Sequence, residues 1–146
     1  MPELSARSER NLRQCHPDLQ RVFRQVARDE AIEVIWGHRN KAEQELAFKS
    51  GASALQWPES KHNLLPSEAC DVIPLPLDWN DLKAFERLAV KVKKVAAELG
   101  VRLRHGADWD GDGKRGEKGE WDWPHWELVS VRRIVRPRPP IPGSAA

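Results

Sequence analysis

Apolar and polar positions change period several times along the chain, and each change marks an element. Residues 5–29 read as helical. Ser5 or Ser8 can cap a first short turn. Pro17, after His16, can open a second helix, because a missing N–H costs nothing at the first helical position. In that helix Leu19, Val22, Phe23, Val26 and Ala27 share one face, while Arg21, Arg24, Gln25 and Arg28 fill the other. The period then drops to two. Ile32, Val34 and Trp36 alternate, which predicts a short strand ended by Gly37, with Trp36 in the core. Residues 41–50 predict a short amphipathic helix stopped by Gly51.

Residues 52–68 read as loop, with Pro58 and Pro66 among small polar residues. Cys70 to Ile73 is a short apolar run bounded by prolines and predicts a buried strand. Residues 78–100 form the clearest helix. Asn80 or Asp78 can cap it and Gly100 can end it, with Phe85, Leu88, Ala89, Val92, Val95 and Leu99 on its buried face. Val101 to Arg104 predicts a strand, residues 106–120 a Gly- and Asp-rich loop, and Trp126 to Val131 a last strand. Residues 132–146 are rich in Pro and Arg and predict a flexible tail, which leaves 1–131 as the folded domain. Helices and strands mix without regular alternation, so the expected class is α+β with a small, largely antiparallel sheet flanked by helices.

Composition narrows the function classes. The chain has 146 residues, with 24 Lys+Arg against 22 Asp+Glu and a net charge of +2. That balance argues against a dedicated nucleic-acid binder, which carries a clear basic excess. No stretch approaches the roughly 18 apolar residues of a membrane span. The polar start, MPELSARSERNLRQ, lacks the apolar run of a secretory signal, so synthesis in the cytoplasm is expected. The 2 cysteines, Cys15 and Cys70, make neither a disulfide framework nor a thiolate zinc site. A monomer is expected.

The candidate chemistry lies in three short stretches. Asp71 enters an apolar strand, where a carboxylate is costly unless it is paired or binds a metal. Capping a turn or pairing with an arginine would also account for it. His62 lies upstream in the loop SKHN. His125 lies in EWDWPHWELV and shares a strand face with Glu127. Pro124 favours a bend that returns Asp122, three residues earlier, beside His125. Two His and one Asp make a sound catalytic zinc set with a position left for water, and a nearby second carboxylate can take that water's proton.

These stretches, in this order, resemble the zinc peptidases that cut peptidoglycan stem peptides. That family includes phage L-alanyl-D-glutamate endopeptidases and D-alanyl-D-alanine carboxypeptidases. The matching pieces are Ser60-Lys61-His62, Ala69-Cys70-Asp71 and Asp122-Trp123-Pro124-His125, with Gly37-His38-Arg39 supplying the family's arginine. The long helix, the stretch from Leu103 to Asp108 and the terminal HWELV look most like the endolysins. The loop NLLPSEAC between His62 and Asp71 lacks the glycine of many members, and the acid is Asp122 where the carboxypeptidases often use Glu.

The resemblance implies a zinc site at the sheet, with His62, Asp71 and His125 holding Zn²⁺ and Asp122 as general base and acid. Arg39 would supply positive charge to the oxyanion or to a substrate carboxylate. A surface salt bridge is the plainer reading of that arginine. Ser60 would bond substrate or shape its loop. Glu127 would orient His125, or replace Asp122 as base; the acid-x-x-His spacing favours Asp122. The implied function is a phage endolysin that acts on peptidoglycan after release from the host cytoplasm. The rivals are a D-alanyl-D-alanine carboxypeptidase and a non-catalytic wall-binding module, and the intact Asp122 argues against the module.

One further pattern stands apart from that set. Asp108, Asp110, Asp112 and Gly113 resemble the opening of a Ca²⁺ loop, D-x-D-x-D-G. The closing Glu of such a loop would fall on Gly119, with Glu120 beside it, so the linear match fails by one residue. A solvated acidic turn is the plainer reading. Trp109, Trp121, Trp123 and Trp126 flank the site and can line a groove or pack a core.

Overall fold

A computed structural model of the chain describes residues 3–117 and 119–129. Its elements follow in the order α1 (Ala6–Arg13), α2 (Pro17–Val26), β1 (Ile32–Trp36), α3 (Lys41–Lys49), β2 (Ala69–Pro74), α4 (Leu82–Leu99), β3 (Leu103–His105) and β4 (His125–Leu128). A single 3-10 turn, Lys61–Asn63, precedes β2. The proposed tail and Val131 lie outside the described residues.

The four strands form one sheet in the order β1-β2-β4-β3. Every neighbouring pair is antiparallel. The expected α+β class with a small antiparallel sheet therefore holds. Register sorts the side chains, because residues directly opposite each other share a face. Val34 with Val72, Cys70 with Trp126, and Leu103 with Leu128 point to one face. There they meet Leu19, Val22, Phe23 and Val26 of α2 and Leu88, Val92 and Val95 of α4 in a single apolar core. Phe23 meets the Trp126 ring edge-on, with centroids 6.4 Å apart. Burying a side chain of this size stabilises by roughly 1.5–3 kcal/mol, so this layer holds the sheet to the helices. The other face carries Asp71, His125 and Glu127.

Local details depart from the sequence expectations for physical reasons. Asp81, not Asn80 or Asp78, caps α4 by accepting from Ala84 N at 3.1 Å. Asp78 instead closes the preceding turn by accepting from Asn80 N. Val101 joins the C-terminal cap of α4, bonding Ala96 O at 2.8 Å, so β3 starts at Leu103. β4 begins one residue before the expected Trp126, because His125 already pairs with Asp71.

Trp36 is not a core residue. The register slips between Val34 and Trp36, so Trp36 faces Asp71 while Val34 stays opposite Val72. Such a bulge turns the following side chain to the opposite face. α3 has the expected length, with a capping box between Asn40 and Glu43. Its apolar side chains point outward, however. Leu46 is 68% exposed, and the buried residue is Gln44.

Candidate active site

Asp71 and His125 face each other across β2 and β4. Their side chains meet, with His125 Nδ1 3.2 Å from Asp71 Oδ1. His62 arrives from the 3-10 turn, where Ser60 caps the first N–H groups and Asn63 answers the Ser60 N–H at 3.1 Å. The backbone carbonyl of His62 accepts from Arg39 N at 2.8 Å, which ties the turn to the segment after β1. The His62 Nε2 atom then lies 3.2 Å from the same Asp71 Oδ1. The remaining oxygen, Oδ2, accepts from Arg39 Nη2 at 3.1 Å.

The second nitrogen of each imidazole is also engaged. His62 Nδ1 donates to Gly37 O at 2.7 Å, and His125 Nε2 meets Glu127 Oε1 at 2.9 Å. These contacts aim His62 Nε2 and His125 Nδ1 at one point beside Asp71. Carboxylate and carbonyl partners of this kind set the ring orientation of metal-binding histidines. One donor atom from each of His62, Asp71 and His125 lies within 4.8 Å of the others, and all three residues are buried. Two imidazoles and a carboxylate converging in this way fit a tetrahedral zinc site with an open position.

The electrostatics follow from this packing. Burial alone would raise the Asp71 carboxyl. The charge of His62 and the hydrogen bonds from His125 and His62 outweigh it and hold the group well below the usual carboxylate range. Burial pulls His125 down, but the bonds to Asp71 and Glu127 dominate and raise it to about 10. Asp122 moves the other way. Burial and the Asp71 charge push its carboxyl above the ordinary value, against the opposing pull of His125, His62 and Arg39.

Asp122 lines the same cleft, of about 320 Å³, as Arg39, His62, Asp71 and His125. The bend expected at Pro124 is present: His125 N bonds Asp122 O at 3.1 Å. The tight return depends on Gly106, which sequence reading passed over in a glycine-rich stretch. Gly106 exchanges backbone bonds with His125 and Asp122, and a Cβ there would stand 2.2 Å from Asp122 O. Arg39 is no surface salt bridge. It is 6% exposed, paired with Asp71, and its guanidinium lies 5.0 Å over the Trp36 ring. Ser60 shapes its loop, since its hydroxyl accepts from His62 N at 3.2 Å. Lys61 bonds Glu127 Oε2 at 3.2 Å and adds a cation behind His125.

The flanking tryptophans divide. Trp109, tilted over His125 at 5.3 Å, and the exposed Trp121 line the cleft. Trp126 is core, and Trp123 packs edge-on against His105. A second group of acids forms beyond Trp109. Asp108, Asp110, Asp112 and Glu120 each bring an oxygen within 4.8 Å of the others. The tertiary turn thus supplies the carboxylate that linear spacing placed one residue late.

Comparison with known proteins agrees with this arrangement. The family model described as phage L-alanyl-D-glutamate peptidase matches residues 2–129. An L-alanyl-D-glutamate peptidase of Escherichia phage T5 is 34% identical over 131 residues, covering 84% of this chain and 94% of that protein. The crystal structure of the Serratia marcescens L-Ala D-Glu endopeptidase ChiX superimposes with a TM-score of 0.68 at 32% identity, covering 87% of this chain and 90% of that one. With two histidines, an aspartate and a second acid gathered in one cleft, and with these matches over nearly the whole described region, the chain belongs to the phage L-alanyl-D-glutamate peptidase family.

Proposed function

We propose that this chain is an endolysin that hydrolyses the L-alanyl-D-glutamate bond of peptidoglycan stem peptides, with residues 1–131 as its catalytic domain. The observation that carries this reading is the convergence of His62, Asp71 and His125 beside a second, proton-accepting acid in one cleft. His62 Nε2, Asp71 Oδ1 and His125 Nδ1 would hold Zn²⁺. When bound, that ion supplies Lewis-acid polarisation of the scissile carbonyl and favours ionisation of water. Asp122 takes the proton of the attacking water and returns it to the leaving amine; its raised affinity for a proton suits both roles. Arg39 sets positive charge against the developing oxyanion. Glu127, backed by Lys61, keeps the His125 ring aligned. No helix among the described residues is long and apolar enough to cross a membrane, and the place of action is the cell wall, where the substrate lies.

Digestion of a defined muropeptide tests the reading. Product with a new N-terminal D-Glu, from protein that carries one zinc per chain, is the expected result. Release of free D-Ala instead would favour the carboxypeptidase alternative. An intact substrate with zinc-loaded protein would leave only the binding-module alternative.

The acidic group supports a second cofactor, Ca²⁺, as part of the same reading. Asp108 and Glu120 are 1% and 5% exposed, and each keeps one buried oxygen, Asp108 Oδ1 and Glu120 Oε1, without a hydrogen-bond donor. Buried acceptors of this kind are costly unless a cation answers them. Four carboxylates suit Ca²⁺, which takes oxygen ligands in flexible geometry. Calorimetric titration of the zinc-loaded protein with CaCl₂ tests it. Saturable 1:1 heat that disappears in Glu120→Gln is expected, and no heat at millimolar Ca²⁺ rejects the site.

A further inference from the structure

Gln44 is the one buried residue of α3 and is 0% exposed, yet it is polar. A buried carboxamide is costly unless its donors and acceptor are met. Here both ends are occupied. Nε2 donates to Leu55 O at 2.7 Å and to Ser53 Oγ at 3.0 Å. Oε1 accepts from Asn63 Nδ2 at 3.2 Å and, at the longer distance of 3.5 Å, from Arg39 Nη1. Asn63 reinforces the acceptor side by also donating to Arg39 O at 3.2 Å.

One amide therefore joins three segments that are separate in the chain. Two of them carry Arg39 and His62. The third, at Ser53 and Leu55, forms a wall of the cleft. That wall belongs to a loop with no regular secondary structure of its own, so its placement depends on such contacts. An apolar residue at position 44 would fill the space and hold none of these polar groups.

We propose that Gln44 is a positioning residue of the peptidase site. Its donor end holds the Ser53–Leu55 wall against which substrate lies, and its acceptor end holds Arg39 and the turn that bears His62. This rests on the peptidase reading above. The two ends predict a split in the kinetics. Ser53→Ala removes a partner of the donor end alone, whereas Gln44→Glu turns a carboxylate towards Leu55 O and sets a second anion against Arg39, so it disturbs both ends. Gln44→Met fills a similar volume and loses both.

The test is steady-state hydrolysis of a defined stem peptide by zinc-loaded wild type, Gln44→Glu, Gln44→Met and Ser53→Ala, with melting curves and zinc content for each. In Ser53→Ala, KM is expected to rise roughly threefold with kcat within about twofold of wild type. Gln44→Met is expected to lose kcat as well, by roughly 10–100-fold, the range found when groups supporting an active site are removed. Gln44→Glu should lose kcat too, because its carboxylate partly neutralises Arg39. If Gln44→Met does not fold, Ser53→Ala still decides the donor end. Folded, zinc-loaded variants with unchanged kcat and KM overturn the proposal, as does a loss of kcat in Ser53→Ala equal to that in Gln44→Met. A wild type that leaves the peptide uncut overturns the peptidase reading instead.

Discussion

Asp71 and Asp110 are both carboxylates among potential metal ligands, and their surroundings shift them in opposite directions. Around Asp71, burial is outweighed by two histidines, and Arg39 takes the second oxygen, so the carboxylate stays ionised. Around Asp110 the neighbours are acids. The backbone N–H of Asp112 pulls its carboxyl down, but partial desolvation and the charges of Asp112 and Glu120 push it above the ordinary value. Glu117 is raised in the same way, through its contact with Asp112 and the surrounding acidic charge. Lys93, 3.2 Å from Asp108 Oδ2, is the cation within that group's reach among the described residues. The first centre is balanced by the protein's own cations, whereas the second carries excess negative charge that an added cation would relieve. Trp109 lies between them, against His125 on one side and lining the hollow beside Glu117 and Glu120 on the other.

The comparison can be broken most directly at Asp122. If the first centre is the catalytic one, Asp122→Asn should lower kcat by roughly 10²–10⁴-fold while zinc content stays at wild-type level. Unchanged turnover on a defined muropeptide would remove Asp122 from the chemistry. Glu127→Gln comes next. It weakens the hold on His125, and zinc affinity or activity should drop by roughly 10–100-fold, read by competition with a chromophoric chelator.

A pH-dependent effect of similar size, on stability and not on turnover, should appear at His105, which stacks on Trp126 at 4.0 Å and donates to Trp123 O at 2.7 Å. Burial lowers it from 6.5 to about 4, with the Trp123 carbonyl opposing the shift. Its folded value lies below its unfolded one, so the unfolded chain binds the extra proton between the two. Stability from this group is full above pH 6.5 and is lost as pH falls towards 4. The change is on the order of 3 kcal/mol. Denaturant titrations across that range should show it, and His105→Phe should flatten the curve.

The smallest effect belongs to the second centre. Without added cation, Glu120→Gln removes a like charge and should raise the melting temperature by a few degrees, the equivalent of about 1 kcal/mol. With Ca²⁺ present the order should invert, because wild type gains stability from binding and the variant does not. Identical melting of the two proteins at every Ca²⁺ concentration would show that the second centre takes no added Ca²⁺.

Residues whose meaning is carried by local pattern were read directly. The core face of α2 follows from its period, and Gly100, with φ of +69°, follows from the left-handed turn that ends α4. The order Ser60-x-His62, Asp71, Asp122-x-x-His125 was legible as a resemblance, and family membership agrees with it. Three other features were not legible. Trp36 was expected in the core because alternation cannot report a bulge. Gly106 was one glycine among several, since only the approach of Asp122 O reveals why a side chain is excluded there. Gln44 was one polar position in a helix read as amphipathic, and only its contacts with Ser53, Leu55 and Asn63 show that it is buried.

By itself the sequence determined where helices and strands start and stop, to within a few residues, and which chemical groups were available. Caps, turns and apolar period act over a few residues, and so they are written locally. Tertiary structure alone decided that His62 and His125 share one oxygen of Asp71, that Arg39 is buried beneath them, and that Glu120 joins the Asp108 group. Those relations depend on strand register, a bulge and the path of two loops. They arise from packing between segments far apart in the chain, and no local spacing encodes them.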